Sequence, residues 1–235
     1  MTEQFKQEIL RADEVADLDP YNVRGKTKTE AARERLQSAD ENSTKVEKVK
    51  EGFFNNEQTK ILAENKFKRF ELRGRTVEEI IDKIPIEFHG LSENMNEINT
   101  IKSMQGEVAI KTNKTGFFIP DSGSKNYFKQ SGMVHAYENE VVIPLGLRGV
   151  QSILGNLADY LELALINLSL FGAKYGYYYT ITESKIDHYR NGRSALAVGA
   201  RDPSGIHVLS SGLDYKRGDI VFAAPLIVPF RAKYY

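Results

Sequence analysis

The longest apolar stretch of the chain lies between residues 150 and 171, and the spacing of its side chains predicts a single helix. Apolar residues recur there at every third or fourth position, which is the period of an α-helix with a buried face. That stripe consists of Val150, Ile153, Leu154, Leu157, Ala158, Leu161, Ala164, Leu165, Leu168 and Phe171. A second set widens the apolar arc: Tyr160, Leu163, Ile166 and Leu170. We therefore expect a helix buried on more than one side, either inside the domain or against a neighbouring subunit.

Two acidic residues in this stretch argue against a transmembrane helix. Asp159 and Glu162 would lie inside the bilayer, where each costs about 3 kcal/mol to insert. The uncharged run after Glu162 is also shorter than the roughly 20 apolar residues that a membrane span requires. The pattern therefore predicts a helix of a protein domain in water and no membrane partner.

Residues 1–83 are dense in charge, and their pattern predicts helices with few buried side chains. Short apolar stripes occur near the start and in residues 55–75, whereas residues 28–54 offer few anchors for a core. Thr76 and Glu79 have the spacing of a capping box, which predicts a helix that ends before the next proline. Because a helix with few apolar anchors is not stable alone, we expect residues 1–83 to form a charged helical arm that stays mobile or lies along a partner.

Residues 84–235 differ in character and predict a core domain with oligomerisation surfaces. Alternating residues predict one β-hairpin in residues 107–120 and another in residues 133–147, with a loop between them. Short apolar runs near the C-terminus predict further strands. Pro225 and Pro229 interrupt the last run, so we expect an edge strand or two short segments there, since proline cannot donate to a ladder. The expected fold class is α+β, with a charged N-terminal helical arm followed by β-hairpins packed on one long apolar helix.

Composition narrows the kinds of partner and site. The chain has 235 residues with 32 Lys and Arg against 32 Asp and Glu, so its overall charge gives no long-range attraction to nucleic acid or acidic membrane. It contains no cysteine, which excludes disulfides and thiolate metal sites. The N-terminus lacks the basic start and apolar run of a secretory signal, so we expect no export.

Candidate catalytic groups are few. The four histidines are scattered in the sequence, and neither a metal-ligand spacing nor a dinucleotide-binding glycine pattern occurs. Asp187, His188 and Ser194 offer the side chains of a small Ser/His hydrolase, but Leu196 stands where the nucleophile elbow has its second glycine. We therefore expect no enzyme activity, no cofactor and no metal, and we keep the hydrolase as an alternative.

Two regions suit partners instead. A basic block between residues 66 and 75 suits contact with phosphate, such as DNA passing close by, or with acidic neighbours. Its cations are Lys66, Lys68, Arg69, Arg73 and Arg75. A nucleic-acid-binding module built on them is a second alternative. The wide apolar helix and the tyrosine-rich segment after it predict a subunit interface, because tyrosine combines a large contact area with a polar group. The candidate interface residues are Leu163, Ile166, Leu170, Tyr177 and Tyr179.

The order of elements resembles that of structural proteins of tailed bacteriophages. A charged helical arm, β-hairpins, one long apolar helix and a β-rich end make up this layout, which is similar to neck-ring or head-to-tail connector subunits of short-tailed crAss-like phages. The resemblance implies a homo-oligomeric ring of about twelve copies at the head-tail junction. It implies the portal and other neck or tail proteins as partners, non-specific contact with passing DNA, and a place in the virion after assembly in the host cytoplasm.

A capsid protein is the other structural alternative. Residues 138–172, "ENEVVIPLGLRGVQSILGNLADYLELALINLSLFG", are similar to the strand and spine helix of the bacteriophage capsid fold. About 64 residues follow Phe171, fewer than the rest of that fold needs. This resemblance implies a capsid-lattice or auxiliary capsid subunit.

Overall fold

Helices and two β-sheets make up the computed structural model, so the chain has the expected α+β fold. The structure describes residues 50–84, 87–89, 94–167, 170, 178–188, 192–200, 205–214 and 220–230. A division of the chain into two units falls between Lys48 and Val49. The helices expected before Lys50 lie outside the described residues.

The first sheet has four strands among the described residues, in the order β1-β3-β9-β4. Their bounds are β1 Phe67–Arg73, β3 Gln105–Lys111, β4 Val150–Leu154 and β9 Pro225–Pro229. Neighbouring strands are antiparallel. β1 pairs with β3 over its whole length, from Phe67 opposite Lys111 to Arg73 opposite Gln105. β1 and β4 are therefore the edges of this sheet.

The second sheet has five strands among the described residues, in the order β2-β7-β6-β5-β8. Their bounds are β2 Glu87–His89, β5 Tyr179–His188, β6 Gly192–Gly199, β7 Gly205–Gly212 and β8 Val221–Phe222. The long central strands β5, β6 and β7 are antiparallel, whereas the short edge strands β2 and β8 pair in parallel with β7 and β5. The β-rich C-terminal region expected from the sequence is confirmed.

Residues 50–83 belong to the folded body, which corrects the predicted boundary of the arm at residue 83. Helix α1, Asn56–Glu64, starts from a capping box of Asn55 and Gln58. The sequence predicted that this helix continues through Phe67. The helix ends at Glu64, and β1 begins at Phe67. Phe67 packs on one face of the sheet and Leu72 on the other, so pairing with β3 buries both and overrides the helical spacing.

The predicted helix between Thr76 and the next proline is confirmed. Helix α2 covers Val77–Ile81, and the capping box of Thr76 and Glu79 is formed at its start. The backbone N–H of Glu79 donates to the Thr76 hydroxyl, and the Glu79 carboxylate accepts from the Thr76 N–H. Val77 and Ile80 are fully buried, so this helix is part of the core.

The predicted single helix from Val150 to Phe171 is wrong in its length. Val150–Leu154 is strand β4, and helix α6 covers Leu157–Ile166. Asn156 ends the strand and begins the helix, because its side chain accepts from the N–H of Asp159 at 3.0 Å. Val150 and Leu154 keep the helical spacing by coincidence, since the same residues also alternate as a strand does.

Helix α6 is apolar around most of its girth because it is buried within one chain. It packs against α2, against β1 of the first sheet and against β5 and β6 of the second. One core cluster joins its leucines to residues of both sheets, among them Leu72, Val108, Leu196 and Leu226. The interior position, rather than a neighbouring subunit, therefore accounts for most of its apolar surface.

Both hairpins predicted between residues 107 and 147 are wrong. β3 is followed by a short helix, α4 Lys114–Phe117, and residues 127–142 are helical. Helix α5 covers Tyr127–Tyr137 and continues into a π-helical turn, Glu138–Val142. The Asn126 side chain caps α5 by accepting from the N–H of Lys129 at 3.0 Å. A further helix, α3, covers Met95–Asn99 in the segment expected to be irregular.

The sequence suggested an edge strand as one alternative for the proline-flanked run, and this alternative is wrong. Strand β9 lies inside the first sheet, between β3 and β4. The N–H of Ser152 on β4 donates to a side chain outside the sheet, so that residue points away from β9. By alternation, Pro225, Ile227 and Pro229 of β9 face β3. The two prolines have no N–H to donate there, and β3 and β9 pair only at Ala109 and Ile227. The expected break into two short segments, β8 and β9, is confirmed.

Candidate functional site

Asp159 of α6 is fully buried and fastens two chain segments. Its Oδ1 accepts from the N–H of Met104 at 2.7 Å, and its Oδ2 accepts from the N–H of Asn156 at 2.8 Å. Burial raises the pKa of this carboxyl to about 7, against the two hydrogen bonds, which lower it. Asp159 holds the chain before β3 against the start of α6 and is closed to a substrate.

Glu162, one turn further along α6, is also fully buried. Its Oε2 accepts from the Ser103 hydroxyl at 2.5 Å and from the N–H of Arg73 at 3.1 Å. Its Oε1 lies 3.4 Å from Nη1 of Arg75, an ion pair that lacks hydrogen-bond geometry. The carboxylate therefore attaches the end of β1 to the central helix. From the sequence, Asp159 and Glu162 served only as evidence against a membrane span. Their role in holding chain segments against α6 became apparent from the hydrogen bonds in the structure.

The contact between Arg73 and Glu162 also fixes which way the backbone of β1 faces. The N–H of Arg73 points away from β3 and toward α6. Alternate residues of an antiparallel strand point the same way, so Phe67, Arg69 and Glu71 direct their N–H and C=O groups outward. Glu107, opposite Glu71 on β3, agrees, because its N–H donates to Gly52 and not to β1. β1 thus presents an outer main-chain edge over residues 67–71, since the N–H of Arg73 is already bound to Glu162.

The five cations predicted to contact DNA or acidic partners all lie on or beside β1, but they do not share one surface. Arg69 donates to both carboxylate oxygens of Glu107, at 2.9 and 3.2 Å, and Arg75 is paired with buried Glu162. Lys68 lies on the opposite face of the strand from Arg69 and Arg73. Lys66, Lys68 and Arg73 are exposed. Contact of this block with DNA stays a prediction.

The predicted interface residues are mostly inside the chain. Leu163 and Leu170 are fully buried, and Tyr179 is 1% exposed, so the structure contradicts their assignment to a subunit interface. Leu163 and Leu170 pack in the core around α6, and Tyr179 packs in a second core cluster with residues of α5. Ile166 is 46% exposed and remains a candidate. Tyr177 lies outside the described residues.

The alternative of a Ser/His hydrolase is contradicted at its nucleophile. Ser194 lies on β6 opposite Ile186 of β5 and is fully buried. A catalytic serine must reach its substrate, and this hydroxyl is enclosed by the sheet and the core. Asp187 is paired in register with Arg193, and His188 belongs to β5, although its side chain lies outside what the structure describes.

Two histidines that are distant in sequence meet at the edge of the second sheet. His89 of β2 and His207 of β7 are paired in register, and their rings stack with centroids 4.4 Å apart. Nε2 of His89 lies 3.3 Å from Oε2 of Glu87. Within the described residues, no group of three His, Cys, Asp or Glu side chains could hold a metal ion.

A polar cluster on α5 and β5 borders a cleft of about 440 Å³. The Tyr127 hydroxyl donates to Oε2 of Glu183, and Nζ of Lys185 donates to Oε1 of the same carboxylate at 2.7 Å. Nζ of Lys185 also lies 4.6 Å from the centroid of the Tyr127 ring. Ser131, His135, Ile153, Leu154 and Asn156 complete the cleft. Tyr127 and Glu183 are 56 residues apart, and no sequence signal connects them.

The protonation states in this cluster suit structure better than catalysis. Burial and the hydrogen bond with Glu183 raise the pKa of Tyr127, so its phenol stays protonated near neutral pH. Burial lowers the pKa of Lys185, but its hydrogen bonds to Glu183 and Tyr127 outweigh that and raise it. The phenol is therefore no base and the amine no nucleophile. The three groups connect α5 to β5.

A second cleft, of about 540 Å³, lies where the first and last described residues meet. Lys50 and Phe53 line it from the N-terminal side of the described chain, and Pro229 and Phe230 line it from the C-terminal side. The N–H of Phe230 donates to the carbonyl of Gly149 at 3.1 Å. Phe230 is nevertheless 58% exposed, the most exposed large apolar side chain of the described residues.

In the part of the chain that the structure describes, no helix has the length and apolar character to cross a membrane. No protein-family model, curated protein or solved structure matches this chain.

Proposed function

We propose that this chain is a non-enzymatic structural subunit that assembles with copies of itself. The assembly we propose is a ring at the head-tail junction of a tailed-phage virion, where it joins the portal to the tail. A capsid-lattice or auxiliary capsid subunit is the alternative role for the same kind of assembly.

The observation that carries the proposal is that Lys50 and Phe230, at the two ends of the described chain, line one cleft. Lys50 and Phe230 line the same surface, so residues 1–49 and 231–235 both connect to the domain there. The first of these segments is dense in charge and the second ends in two tyrosines. Extensions that start side by side next to an exposed phenylalanine suit a subunit that binds its neighbours through one surface.

The chemistry of the described residues supports a structural role over a catalytic one. Asp159 and Glu162 are enclosed and are used by main-chain N–H groups. Burial and a hydrogen bond to Glu183 raise the pKa of Tyr127, and hydrogen bonds to Glu183 and Tyr127 raise the pKa of Lys185 against the effect of its burial. Each of these ionisable groups joins separate elements of the fold, and rigid connections of this kind suit a subunit that has to keep its shape within an assembly.

The test is the size of the full chain in solution and the shape of what it forms. Size-exclusion chromatography with light scattering should give a mass several times that of the 26.6 kDa chain, and electron microscopy should show closed rings. Phe230→Ser should shift the full chain toward monomer. Phe128→Ser is the matched control, because Phe128 is 55% exposed and does not line this cleft.

Deletion of residues 1–49 should also shift the chain toward monomer while its circular dichroism remains that of a folded α+β domain. The core formed by α1, β1 and α2 begins after Lys50, so the deletion removes none of it. A full chain that stays monomeric at high concentration contradicts the proposal. Equal effects of Phe230→Ser and Phe128→Ser would show that the cleft is not the surface concerned.

A further inference from the structure

The outer edge of β1 is an open main-chain edge of the four-stranded sheet, because β1 has a neighbouring strand, β3, on one side only. Phe67, Arg69 and Glu71 direct their N–H and C=O groups outward, as the contacts of Arg73 and Glu107 require. Such a row of main-chain groups pairs readily with another extended segment. Such an edge is therefore either protected against unwanted pairing or paired with a partner strand.

The side chains beside this edge select against one kind of partner and favour another. Lys68, Arg69 and Arg73 flank the edge, with Lys66 just before it, and Glu71 is the one acid of the strand. Two copies of β1 placed edge to edge would join strands that each carry three cations and one acid, and an excess of like charge on adjacent strands is destabilising. An extended segment rich in acids would instead gain from these cations. The charge of β1 thus opposes self-pairing and favours an acidic strand.

One segment of this chain has the composition that the edge favours. Residues 12–19 read "ADEVADLD" and contain four acids and no base, and Pro20 follows them. As a strand, this segment would place Asp13, Val15, Asp17 and Asp19 on one face and Ala12, Glu14, Ala16 and Leu18 on the other. The proline would end the pairing, since it has no N–H to donate.

One face of this strand matches one face of β1. Arg69, Glu71 and Arg73 project to the same side of β1. In the antiparallel register that sets Asp17 opposite Arg69 and Asp13 opposite Arg73, Val15 lies opposite Glu71. The same register sets Leu18 opposite Lys68 and Ala16 opposite the half-buried Phe70, so the charge match is carried by one face.

We infer that the outer edge of β1 binds residues 12–19 of a second copy of this chain as an added strand. This inference rests on the proposed function, because it names the segment through which one subunit holds the next. Isolated helices of this length are marginal in water, so the helical spacing near the N-terminus does not prevent its recruitment as a strand.

The arrangement of cations favours a protein strand over nucleic acid at this edge. Phosphate binding calls for several cations on one accessible surface. Here Arg75 is already engaged by buried Glu162, and the exposed cations are divided between the two faces of the strand. An added strand meets both faces, whereas a duplex would meet one.

Zero-length cross-linking tests the inference directly in the full chain. A carbodiimide joins carboxylates to amines that are already in contact, and a mixture of ¹⁴N- and ¹⁵N-labelled chains separates links between copies from links within one. Mass spectrometry should find Lys66 or Lys68 of one copy joined to Asp13, Glu14, Asp17 or Asp19 of another. Absence of these links in an assembled sample, or their occurrence only within one copy, overturns the inference.

A proline substitution at the edge gives an independent test. Glu71→Pro removes an outward N–H and leaves the pairing of β1 with β3, so it should weaken self-association about tenfold, the size of one lost main-chain hydrogen bond. Glu71→Ala keeps the N–H and is the matched control, with association within about threefold of the unchanged chain. Circular dichroism and thermal unfolding establish that both variants are folded; if Glu71→Pro is not, the cross-linking result decides.

The outcomes separate this inference from the proposed function. An assembled chain that lacks the cross-links and tolerates Glu71→Pro overturns the strand addition and leaves the assembly intact. A monomeric full chain overturns the proposed function itself. Binding of a fluorescent DNA duplex that is lost on Lys68→Glu, without the cross-links, would overturn the inference in favour of nucleic acid.

Discussion

The two sheets of this molecule end in different ways. The five-stranded sheet is bordered by β2 and β8, which have three and two residues and pair with only residues 205–207 of β7 and residues 179–180 of β5. The four-stranded sheet is bordered on one side by β1, which has seven residues in full register with β3. Short edge strands are a common protection against unwanted pairing, and charged side chains are another. The five-stranded sheet has short edge strands, and β1 of the four-stranded sheet has charged side chains.

The difference also concerns how each sheet is attached to helix α6. β5 of the five-stranded sheet is attached by a neutral hydrogen bond, since the N–H of Leu157 donates to the Ser184 hydroxyl at 2.9 Å. β1 of the four-stranded sheet is attached by the buried carboxylate of Glu162. A buried charge with its partners in place is costly to disturb, whereas a neutral bond at a half-buried site is not. The strand with the open edge is therefore the one held most specifically.

Removal of the Glu162 carboxylate should have the largest effect on this comparison. Glu162→Ala leaves the Ser103 hydroxyl and the Arg73 N–H without their acceptor and Arg75 without its partner, so the free energy of unfolding should fall by about 3 kcal/mol or more. Ser184→Ala should lower it by only about 1 kcal/mol. Urea unfolding of both variants measures the difference. Equal losses would show that the two sheets are attached with similar strength.

A change of pH should act on the same helix through Asp159. Its pKa is raised to about 7 in the folded state from 3.8, so the folded state holds the proton more tightly. The free energy of unfolding should therefore fall as pH rises from about 4 to about 7, by up to about 1.4 kcal/mol per pH unit from this group, and the contribution should level off above that.

Asp159→Asn is the variant that isolates this effect. It cannot titrate, so the difference in unfolding free energy between it and the unchanged chain should vary with pH between pH 4 and 7 and become constant above. Urea unfolding at unit steps of pH measures that difference. A difference that stays constant over the whole range would show that Asp159 keeps an ordinary pKa in the folded chain.

The smallest expected effect concerns hydrogen exchange, which leaves the chain unchanged. Exchange rates should distinguish the outward amides of β1 from those that pair with β3. In the monomeric chain, the outward amides of Phe67, Arg69 and Glu71 should exchange faster than those of Lys68 and Phe70, which pair with β3. Nuclear magnetic resonance resolves the individual amides. A uniform rate along β1 would show that the outer edge is covered even in the monomer.

Features that depend on local chemistry were predictable from the sequence. The capping box of Thr76 and Glu79 places α2 within a residue or two, because both partners lie within one turn. The C-terminal strands were predictable from short apolar runs separated by turn residues. For α2 the deciding contacts lie within one turn of the chain, and β6 and β7 are consecutive strands that pair with each other.

Features that depend on distant contacts were not predictable. Phe67, Phe70 and Leu72 fit a helix and a strand equally well, and only pairing with β3 decides between them. An apolar residue such as Leu163 can lie at an interface or in a core. It is buried here because both sheets pack around α6. The strand addition proposed for β1 depends on its basic residues and on its open edge. The basic residues could be recognised in the sequence, but the edge that they flank could not.

The prolines of β9 have a consequence for how the open edge is held in place. Because Pro225 and Pro229 donate nothing toward β3, the β1–β3 ribbon is connected to the rest of its sheet by one paired position, Ala109 and Ile227. Its other attachments are the N–H of Glu107, which donates to the carbonyl of Gly52, the anchor of Arg73 on α6, and side-chain packing. The ribbon is therefore held in place mainly by contacts outside the ladder of its own sheet.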